Sequence, residues 1–292
     1  MRVVVLGANG QLGRALTRRL PLLGHAVLPL GRDEADIAEE AVIETIATLA
    51  PDAIVNAAAM TNVDGAERDP AAAFRINGLG AENAARAAAA AGAVLVQVST
   101  DYVFDGQGGA PYAEDAPTTP LSVYGASKLD GERRALAAWD RVQVARTAWL
   151  YGLGGRNFVT RIVGLADERG ALSVVTTESG NPTFCDDLAD AIGRLVGLPH
   201  YGVFHLVNEG YASRYEFARA ILALAGRDVS ITPVESFARA AKPPAFAPLV
   251  NARAAALGVT LRPWQDALAA YIAAEPALAR PGDAIASKSV AE

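Results

Sequence analysis

The amino-acid sequence predicts an α/β fold: a doubly wound parallel sheet with helices on both faces and a smaller C-terminal lobe at its carboxyl edge. Two features lead to this prediction. Short apolar, β-branched runs alternate with longer segments rich in Ala, Leu, Arg and Glu, and a glycine-rich stretch directly follows the first run. Strands covered on both faces are continuously apolar, and their alternation with helices is typical of a parallel sheet.

The alternating elements occupy the first half of the chain. Strands are predicted over residues 3–6, 26–30, 53–56, 94–99 and 142–146. Helices are predicted over residues 12–23, 41–50, 71–91 and 124–138, where good helix formers dominate.

The order of elements loosens after residue 150, where Gly and Pro interrupt short segments such as 203–207. We expect residues 1–150 to form one domain, to which some later strands and helices return. Residues 151–278 then form mainly the smaller lobe. The tail over 279–292 has little apolar content and is predicted to be disordered.

The composition argues against several classes of protein. The 292 residues are 51% apolar and 20% charged, with a net charge of −6, which allows one large or two small domains with ample core. Because no basic stripe is present, no nucleic-acid partner is expected. One cysteine, Cys185, and three histidines argue against a disulfide and against a structural zinc site. We expect a cytoplasmic protein without a bound structural metal.

No membrane segment is predicted. The apolar run at the amino terminus is too short for a signal peptide with its cleavage site. The longest stretch of small residues, 84–98, contains Arg86, Gly92 and Gln97. It is better explained as an Ala-rich helix, a glycine turn and a buried strand than as a membrane span.

The stretch "GANGQLG" after the first strand places Gly7, Gly10 and Gly13 at Gly-x-x-Gly-x-x-Gly spacing. Glycines there permit a tight turn, close approach of the backbone to a pyrophosphate, and close packing of helix on strand. A glycine-rich turn without a ligand is the alternative, but the position between a strand and a helix favours a dinucleotide. We therefore expect a Rossmann-like, NADP(H)-binding domain. The motif residues expected to contact the cofactor are Gly7, Asn9, Gly10, Gln11, Leu12 and Gly13.

The end of the second predicted strand bears on the choice of coenzyme. A carboxylate there usually binds the ribose hydroxyls of NAD, whereas a basic side chain accommodates the 2′-phosphate of NADP. The first side chain after Gly31 is that of Arg32, which favours NADPH. The alternative, which leaves NADH open, is a solvated Arg32 with Asp33 on the ribose. Asp36, followed by Ile37, is placed to reach the adenine amino group or to act as an ordinary helix cap.

Tyr124 and Lys128 lie four residues apart, and therefore on one face of the predicted helix. A phenol has a pKa near 10, and an ammonium about 4 Å away would lower it by about three units. A phenol with a pKa of about 7 is an effective general acid. Thr100 follows the strand predicted over 94–99, where parallel strands present residues to ligands. These three residues are candidates for a single catalytic set.

The chain resembles the extended short-chain dehydrogenase/reductases, and more narrowly the dTDP-4-dehydrorhamnose reductases, from residue 1 to about residue 272. The motifs that carry the resemblance are "GANGQLG", "PDAIVNAAAMTNVDGAE", "STDYVFDG", "YGASKLDGE", "RTAWLYG", "GNPT", "DLADAI" and "GVFHLVNEG". The resemblance implies NADPH-dependent reduction of the 4-keto group of a dTDP-linked 6-deoxyhexose, in the commonest case to dTDP-L-rhamnose. It also leaves open a homodimer and, as in some members, a need for Mg²⁺, to which no residue here is assigned.

The resemblance assigns roles residue by residue. Thr100, Tyr124 and Lys128 match the catalytic set of the family, and by the same resemblance Tyr124 and Lys128 also bind the cofactor. Residues matching positions that face the sugar are Val63, Asp101, Tyr102 and Trp149, and those matching the cofactor-lining segment are Ala57, Ala58 and Ala59.

Related reactions are tested by the same positions. The dehydratases of this superfamily have an acid where this chain has Tyr102, so dehydration is not expected. A GDP-fucose synthase would need further Cys and His residues in the pocket. Epimerization, reduction of another nucleotide-linked deoxysugar, and a non-catalytic NADP-binding regulatory subunit remain as alternatives.

The chain departs from the family pattern at several positions. Met60 replaces a usual Tyr or His, and Gly65 replaces a common Lys. In the segment "KPPAFAPLV" three polar family residues are replaced by Pro243, Ala247 and Val250. We expect Lys242 to take over the contact with the substrate diphosphate that the family makes with an Arg.

Overall fold

The computed structural model describes residues 1–275 and residue 278. The tail predicted to be disordered, residues 279–292, lies outside the described residues. Within the described residues no helix is both long and apolar enough to cross a membrane.

Twelve strands and eleven α-helices are present in the described residues. The strands are β1 (Arg2–Leu6), β2 (Ala26–Leu30), β3 (Ala53–Asn56), β4 (Val94–Thr100), β5 (Val142–Thr147), β6 (Leu150–Tyr151), β7 (Ala171–Val175), β8 (Ser179–Gly180), β9 (Thr183–Phe184), β10 (Gly202–His205), β11 (Ala212–Ser213) and β12 (Ser230–Val234). The helices are α1 (Gln11–Arg19), α2 (Val42–Thr48), α3 (Val63–Arg68), α4 (Pro70–Ala73), α5 (Gly80–Ala91), α6 (Val123–Ala138), α7 (Phe158–Arg169), α8 (Cys185–Leu195), α9 (Arg214–Leu224), α10 (Ala252–Ala256) and α11 (Trp264–Ala274).

Six strands form one parallel sheet in the order β10-β5-β4-β3-β1-β2. Helices α1 and α8 cover one face, and α2, α5 and α6 cover the other. The predicted doubly wound α/β fold is thus confirmed. Because β2 lies on one side of β1 and β3 on the other, a crevice opens at the carboxyl ends of these strands, where ligands bind in such sheets.

The five strands predicted before residue 150 are found within one residue at each end. The segment predicted over 203–207 is β10, which pairs with β5 in the main sheet rather than lying in the smaller lobe. A short apolar run does not specify its partner strand, so only the folded chain decides this pairing.

Two predicted helices differ from the observed ones. The helix predicted over 12–23 ends as an α-helix at Arg19, and a 3₁₀ turn over Leu20–Leu23 that contains Pro21 follows. The helix predicted over 71–91 is interrupted by a π-helical turn over Phe74–Leu79. Such turns are rare and are frequent at functional sites.

The smaller lobe has its own core, and its short strands pair β6 with β9, β7 with β12 and β8 with β11. Aromatic rings dominate this core: Tyr151 packs against Phe184, Phe217 and Tyr271 at centroid distances between 5.1 and 5.7 Å. The boundary that we place at residue 150 falls in β6.

A buried ion pair joins α6 to the sheet. Arg146 of β5 donates to both carboxylate oxygens of Glu132 of α6, at 2.9 and 2.7 Å. The two side chains are only 5% and 3% exposed. Ser99 of β4 donates its hydroxyl proton to the same carboxylate at 2.5 Å. The pair thus fixes α6 against the carboxyl ends of β4 and β5.

We expect Arg146→Met to lower the free energy of unfolding by about 3–5 kcal/mol, because it leaves the Glu132 carboxylate buried without its counter-ion. Urea denaturation monitored by circular dichroism measures the change. The matched control is Arg86→Met, which removes an exposed pair with Glu40 and should have a much smaller effect. The double variant Arg146→Met/Glu132→Leu should recover much of the loss, because no buried charge remains. A single variant as stable as the control would contradict this account of the pair.

Candidate active site

A cavity of about 240 Å³ opens at the carboxyl ends of β1, β2 and β3. Its lining consists of Gly7, Asn9, Gly10, Gly31, Arg32, Ala35, Asp36, Ile37, Ala57, Ala58, Ala59 and Ile76. Nine of these residues come from the set expected to bind the cofactor. Three of the other expected residues, Gln11, Leu12 and Gly13, lie in the first turn of α1, where Leu12 packs its side chain into the core. The last two, Tyr124 and Lys128, lie on α6 and do not line this cavity.

The glycine turn leaves no room for side chains. Gly7 has φ of +73°, and a Cβ atom there would lie 2.7 Å from the backbone nitrogen of Ala58. A Cβ on Gly13 would collide with the Gly7 carbonyl oxygen. Gly10 is the N-cap of α1, and no side chain caps the helix. The cavity therefore combines a narrow backbone cradle with uncapped helix N–H groups, which fits a dinucleotide pyrophosphate.

The rim of this cavity carries both signs of charge. Arg32 is exposed and has no hydrogen-bond or ion-pair partner among residues 1–275 and 278. Asp36 accepts the Ala38 N–H at 3.0 Å within a turn. It does not cap a helix, because α2 begins only at Val42, after Ala41 as its N-cap. Glu34, which sequence reasoning missed, accepts the Gly31 N–H at 2.7 Å and places a carboxylate at the end of β2.

The three candidate catalytic residues meet where β4 ends. Thr100 is the last residue of β4, and its hydroxyl donates to the Asp101 carboxylate at 3.0 Å and accepts the Tyr102 N–H at 3.2 Å. Tyr124 of α6 is hydrogen-bonded to the same hydroxyl. Lys128, one turn further along α6, donates its Nζ proton to the Val98 carbonyl oxygen at 2.7 Å.

The pKa of Tyr124 differs from the sequence-based expectation. Burial raises this pKa well above 10, and the hydrogen bond with Thr100 only partly opposes the rise. The expected value of about 7 assumed that the Lys128 ammonium faces the phenol. In the folded chain that ammonium is bonded to the Val98 carbonyl instead. The expectation is therefore wrong for the chain alone, and Tyr124 is a fully protonated phenol at neutral pH.

Burial also changes the titration of Lys128. It lowers the pKa of the ammonium to about 8, and the nearby Glu132 carboxylate partly opposes this effect. A side chain that titrates so close to neutral pH, in a cleft beside Tyr124, is typical of a functional site.

Asn77 connects the cofactor cavity with the catalytic helix, and sequence reasoning missed it. It lies in the π-helical turn, accepts the Met60 N–H at 2.8 Å and donates to the Met60 carbonyl at 3.1 Å. It also donates to the hydroxyl of Ser127, at 3.0 Å. Ser127 lies between Tyr124 and Lys128, so Asn77 fixes the segment after β3 against α6. The signal in the sequence that could have revealed Asn77 is the Asn-Gly pair inside a predicted helix that is otherwise rich in alanine.

Two of the expected substrate-facing residues adjoin the catalytic set directly. Asp101 is buried, which raises the pKa of its carboxyl group to about 6. The ring of Tyr102 lies edge-on to that of Tyr124 at 5.4 Å. Burial and the Asp101 charge raise the pKa of the Tyr102 phenol to about 12.

A third residue expected to face the substrate, Trp149, has a left-handed backbone with φ of +46°. The guanidinium of Arg214 lies 3.5 Å from the centroid of its ring. Arg214 also pairs with the buried carboxylate of Glu178 at 3.6 Å. Neither Arg214 nor Glu178 was predicted, because both come from the lobe, far along the chain.

Val63 and Lys242 each adjoin a residue of one hydrogen bond, that between Ala241 and Asp64. Val63 begins α3, and the next residue, Asp64, accepts the Ala241 N–H at 2.9 Å. Lys242 follows Ala241 and is exposed. The segment around Ala241 thus reaches from the lobe to the cofactor-binding domain.

The replaced family positions near Lys242 have separate environments. Ala247 is buried in a small core with Val103 and Phe104, whereas the Val250 side chain is 43% exposed. The described residues contain no group of three or more His, Cys, Asp or Glu side chains that could hold a metal ion.

Comparisons with known proteins agree with this geometry. Residues 1–276 match the family model described as the RmlD substrate binding domain. The chain is 42% identical to a dTDP-4-dehydrorhamnose reductase of Streptomyces griseus, with 91% of each chain covered. It is also 42% identical to a probable dTDP-4,6-dihydroxy-2-methyloxan-3-one 4-ketoreductase of Streptomyces antibioticus, covering 92% of this chain and 93% of that protein.

A solved structure extends the likeness to three dimensions. The dTDP-4-dehydrorhamnose reductase of Bacillus anthracis in complex with NADP superposes with a TM-score of 0.90 at 35% identity, covering 94% of this chain and 99% of that one. The resemblance expected from the sequence motifs is thereby confirmed. The chain belongs to the RmlD substrate binding domain family, whose match spans the cofactor cavity, the catalytic set and the lobe.

Proposed function

We propose that this protein reduces the 4-keto group of a dTDP-linked 4-keto-6-deoxyhexose with NADPH, converting dTDP-4-dehydrorhamnose to dTDP-L-rhamnose. The observation that carries the proposal is the meeting of Thr100, Tyr124 and Lys128 at the end of β4, beside a cavity that fits a dinucleotide. The relatives named as reductases of such sugars support the choice of substrate.

The bound coenzyme supplies the hydride. Tyr124 gives its proton to the ketone oxygen as that oxygen becomes an alkoxide, a base strong enough to take a proton from a phenol of raised pKa. Thr100 holds the carbonyl oxygen by a hydrogen bond. Lys128, whose ammonium is bonded to the Val98 carbonyl in the chain alone, would bind the nicotinamide ribose of the coenzyme and from there oppose the negative charge left on Tyr124.

The proposed coenzyme contacts follow the cavity. The first turn of α1 would bind the pyrophosphate, and residues 57–59, which line the cavity, would contact the coenzyme. Arg32 would bind the 2′-phosphate of NADPH. The Glu34 carboxylate at the end of β2 is of the kind that accepts the ribose hydroxyls of NADH, so NADH remains a candidate second coenzyme.

The proposed substrate contacts are Val63, Asp101, Tyr102, Trp149 and Lys242. Asp101 accepts hydrogen bonds from sugar hydroxyls, and Lys242 contacts the diphosphate as a point charge. The relative named as a ketoreductase for a different dTDP-sugar supports, as the second candidate, reduction of another dTDP-4-keto sugar.

The direct test measures NADPH oxidation against a panel of dTDP-4-keto-6-deoxyhexoses and identifies each product by NMR. Turnover of dTDP-4-dehydrorhamnose to the rhamnose product supports the first candidate. Turnover of another member alone supports the second. A correctly folded, NADPH-binding protein that reduces no member would overturn the proposal and favour a non-catalytic subunit.

We expect Tyr124→Phe to lower kcat by about 10²–10⁴-fold, because the phenol supplies the proton for the reduced oxygen. NADPH affinity, measured by fluorescence titration, should change little, since the phenol contacts no phosphate. The control is Tyr215→Phe on α9, outside the catalytic set. A Tyr124→Phe enzyme with more than about a tenth of the wild-type kcat would remove Tyr124 from the acid role.

Lys128 should lose its proton at about pH 8, because burial disfavours the ammonium. The chain has three lysines, Lys128, Lys242 and Lys288, so ¹³C-lysine labelling gives few signals and Lys128→Arg assigns the relevant one. As pH rises, its ε-carbon signal should titrate near 8, and after unfolding in urea near about 10.4. Equal midpoints in both states would contradict the desolvated environment.

Arg32→Ala should raise KM for NADPH about tenfold or more and leave KM for NADH little changed, because only NADPH carries the 2′-phosphate. The matched control is Arg133→Ala, which removes an exposed guanidinium on α6. Steady-state kinetics with both coenzymes and NADPH dissociation constants provide the measurement. Equal effects on the two coenzymes would identify Arg32 as a surface residue.

A further inference from the structure

Arg214 is the first residue of α9, yet its side chain reaches back to the catalytic domain. Its guanidinium lies 3.5 Å from the ring centroid of Trp149 and 5.0 Å from that of Phe158. The side chain is only 19% exposed. A planar guanidinium stacked on an indole in a largely desolvated place is a specific arrangement, since an ammonium cannot stack as a plane.

Trp149, whose indole contacts Arg214, has a strained backbone. A bulky residue with φ of +46° is a backbone outlier, and such strain persists only where the surroundings fix it. Gly180 contributes to this, because a Cβ atom there would lie 2.6 Å from the indole. Phe217 packs at a centroid distance of 6.4 Å. Arg214 is the charged residue among those that surround the indole.

The charge of the same guanidinium is shared and acts on residues that follow β4. Glu178 pairs with Arg214 at 3.6 Å and also with Arg239, so one carboxylate is shared by two cations and a positive charge is left over. Asp101 and Tyr102 both lie in the field of Arg214.

The groups that face Asp101 have opposite effects on its ionisation. Besides Arg214, they are the hydroxyl of Thr100 and the phenols of Tyr102 and Tyr124. Burial raises the pKa of Asp101 to about 6, while Thr100 and Arg214 lower it. Among the described residues that act on Asp101, Arg214 is therefore the cation that favours the carboxylate at neutral pH.

We infer that Arg214 is a positioning residue of the substrate pocket: it holds the Trp149 indole in place, and its charge, only partly neutralised by Glu178, favours the ionised form of Asp101. The inference rests on the proposed function in one respect, namely that Trp149 and Asp101 contact the sugar nucleotide. In that case Arg214 controls two contacts with the sugar nucleotide: the flat apolar surface of the Trp149 indole and the hydrogen-bond acceptor of Asp101.

Two substitutions separate the two roles. Arg214→Met keeps an unbranched stem but loses both the stacked plane and the charge. Arg214→Lys keeps the charge and loses the plane. Arg219→Met, on the exposed side of α9, is the matched control.

The first experiment needs no substrate. The chain has three tryptophans, so ¹⁹F NMR of 5-fluorotryptophan-labelled protein gives a signal for Trp149 that Trp149→Phe assigns. In the wild type we expect one narrow Trp149 signal with a titration step near pH 6, which Asp101→Asn removes. Arg214→Met should broaden or shift the signal and move the step to higher pH. Arg214→Lys should change the signal with less effect on the step. If the Trp149 signal and its titration step are the same in Arg214→Met as in Arg219→Met, the inference is overturned.

The second experiment measures kinetics with the sugar nucleotide identified in the panel. Arg214→Met should raise its KM about tenfold or more, the size expected for weakening a charge-assisted hydrogen bond, with kcat and the NADPH KM little changed. The acid limb of kcat/KM should move to higher pH in Arg214→Met and less in Arg214→Lys. An unchanged KM and acid limb would overturn the inference. If the wild type reduces no sugar in the panel, the proposed function fails, and the NMR result alone decides the positioning role.

Discussion

The buried pair of Glu132 and Arg146 is the interaction on which the arrangement of the site depends. It joins α6 to β5, and through the Ser99 hydroxyl it reaches β4. Tyr124 and Lys128 lie on the same helix as Glu132, within the two preceding turns, and Thr100 follows Ser99 directly. A shift of α6 along the sheet would therefore separate the phenol from the threonine and leave the Glu132 charge buried without a partner. Buried pairs of this kind contribute little net stability but oppose displacement, because breaking one is costly.

Exclusion of water sets the pKa values of the ionisable groups in this site. Burial raises the pKa of Tyr124 and of Asp101 and lowers that of Lys128, since it disfavours the charged form of each group. The Tyr124 phenol thus stays protonated at neutral pH, and the pKa of Lys128 comes close to neutral pH. The same low dielectric strengthens the interaction of Asp101 with Arg214.

The two parts of the molecule are interdependent at this site. The part of the chain before residue 150 supplies the cavity and the candidate catalytic set, and the later part supplies Arg214 and Glu178. The polypeptide also returns to the first domain, where β10 extends the main sheet and α8 covers α1. The contact of Ala241 with Asp64 adds a further connection across the cleft. If the proposed substrate contacts hold, substrate recognition depends on how the lobe packs against the sheet.

The sequence by itself determined the doubly wound sheet and the place of the cofactor cavity, because continuous apolar runs and a glycine turn are local signals. It also identified the Thr100, Tyr124 and Lys128 set, since strand ends and a four-residue helical spacing follow from local geometry. Only the tertiary structure decided that Lys128 bonds the Val98 carbonyl, that the Tyr124 phenol has a raised pKa, and that Arg214 stacks on Trp149. These features depend on burial and on contacts between residues far apart in the chain, which no local pattern encodes.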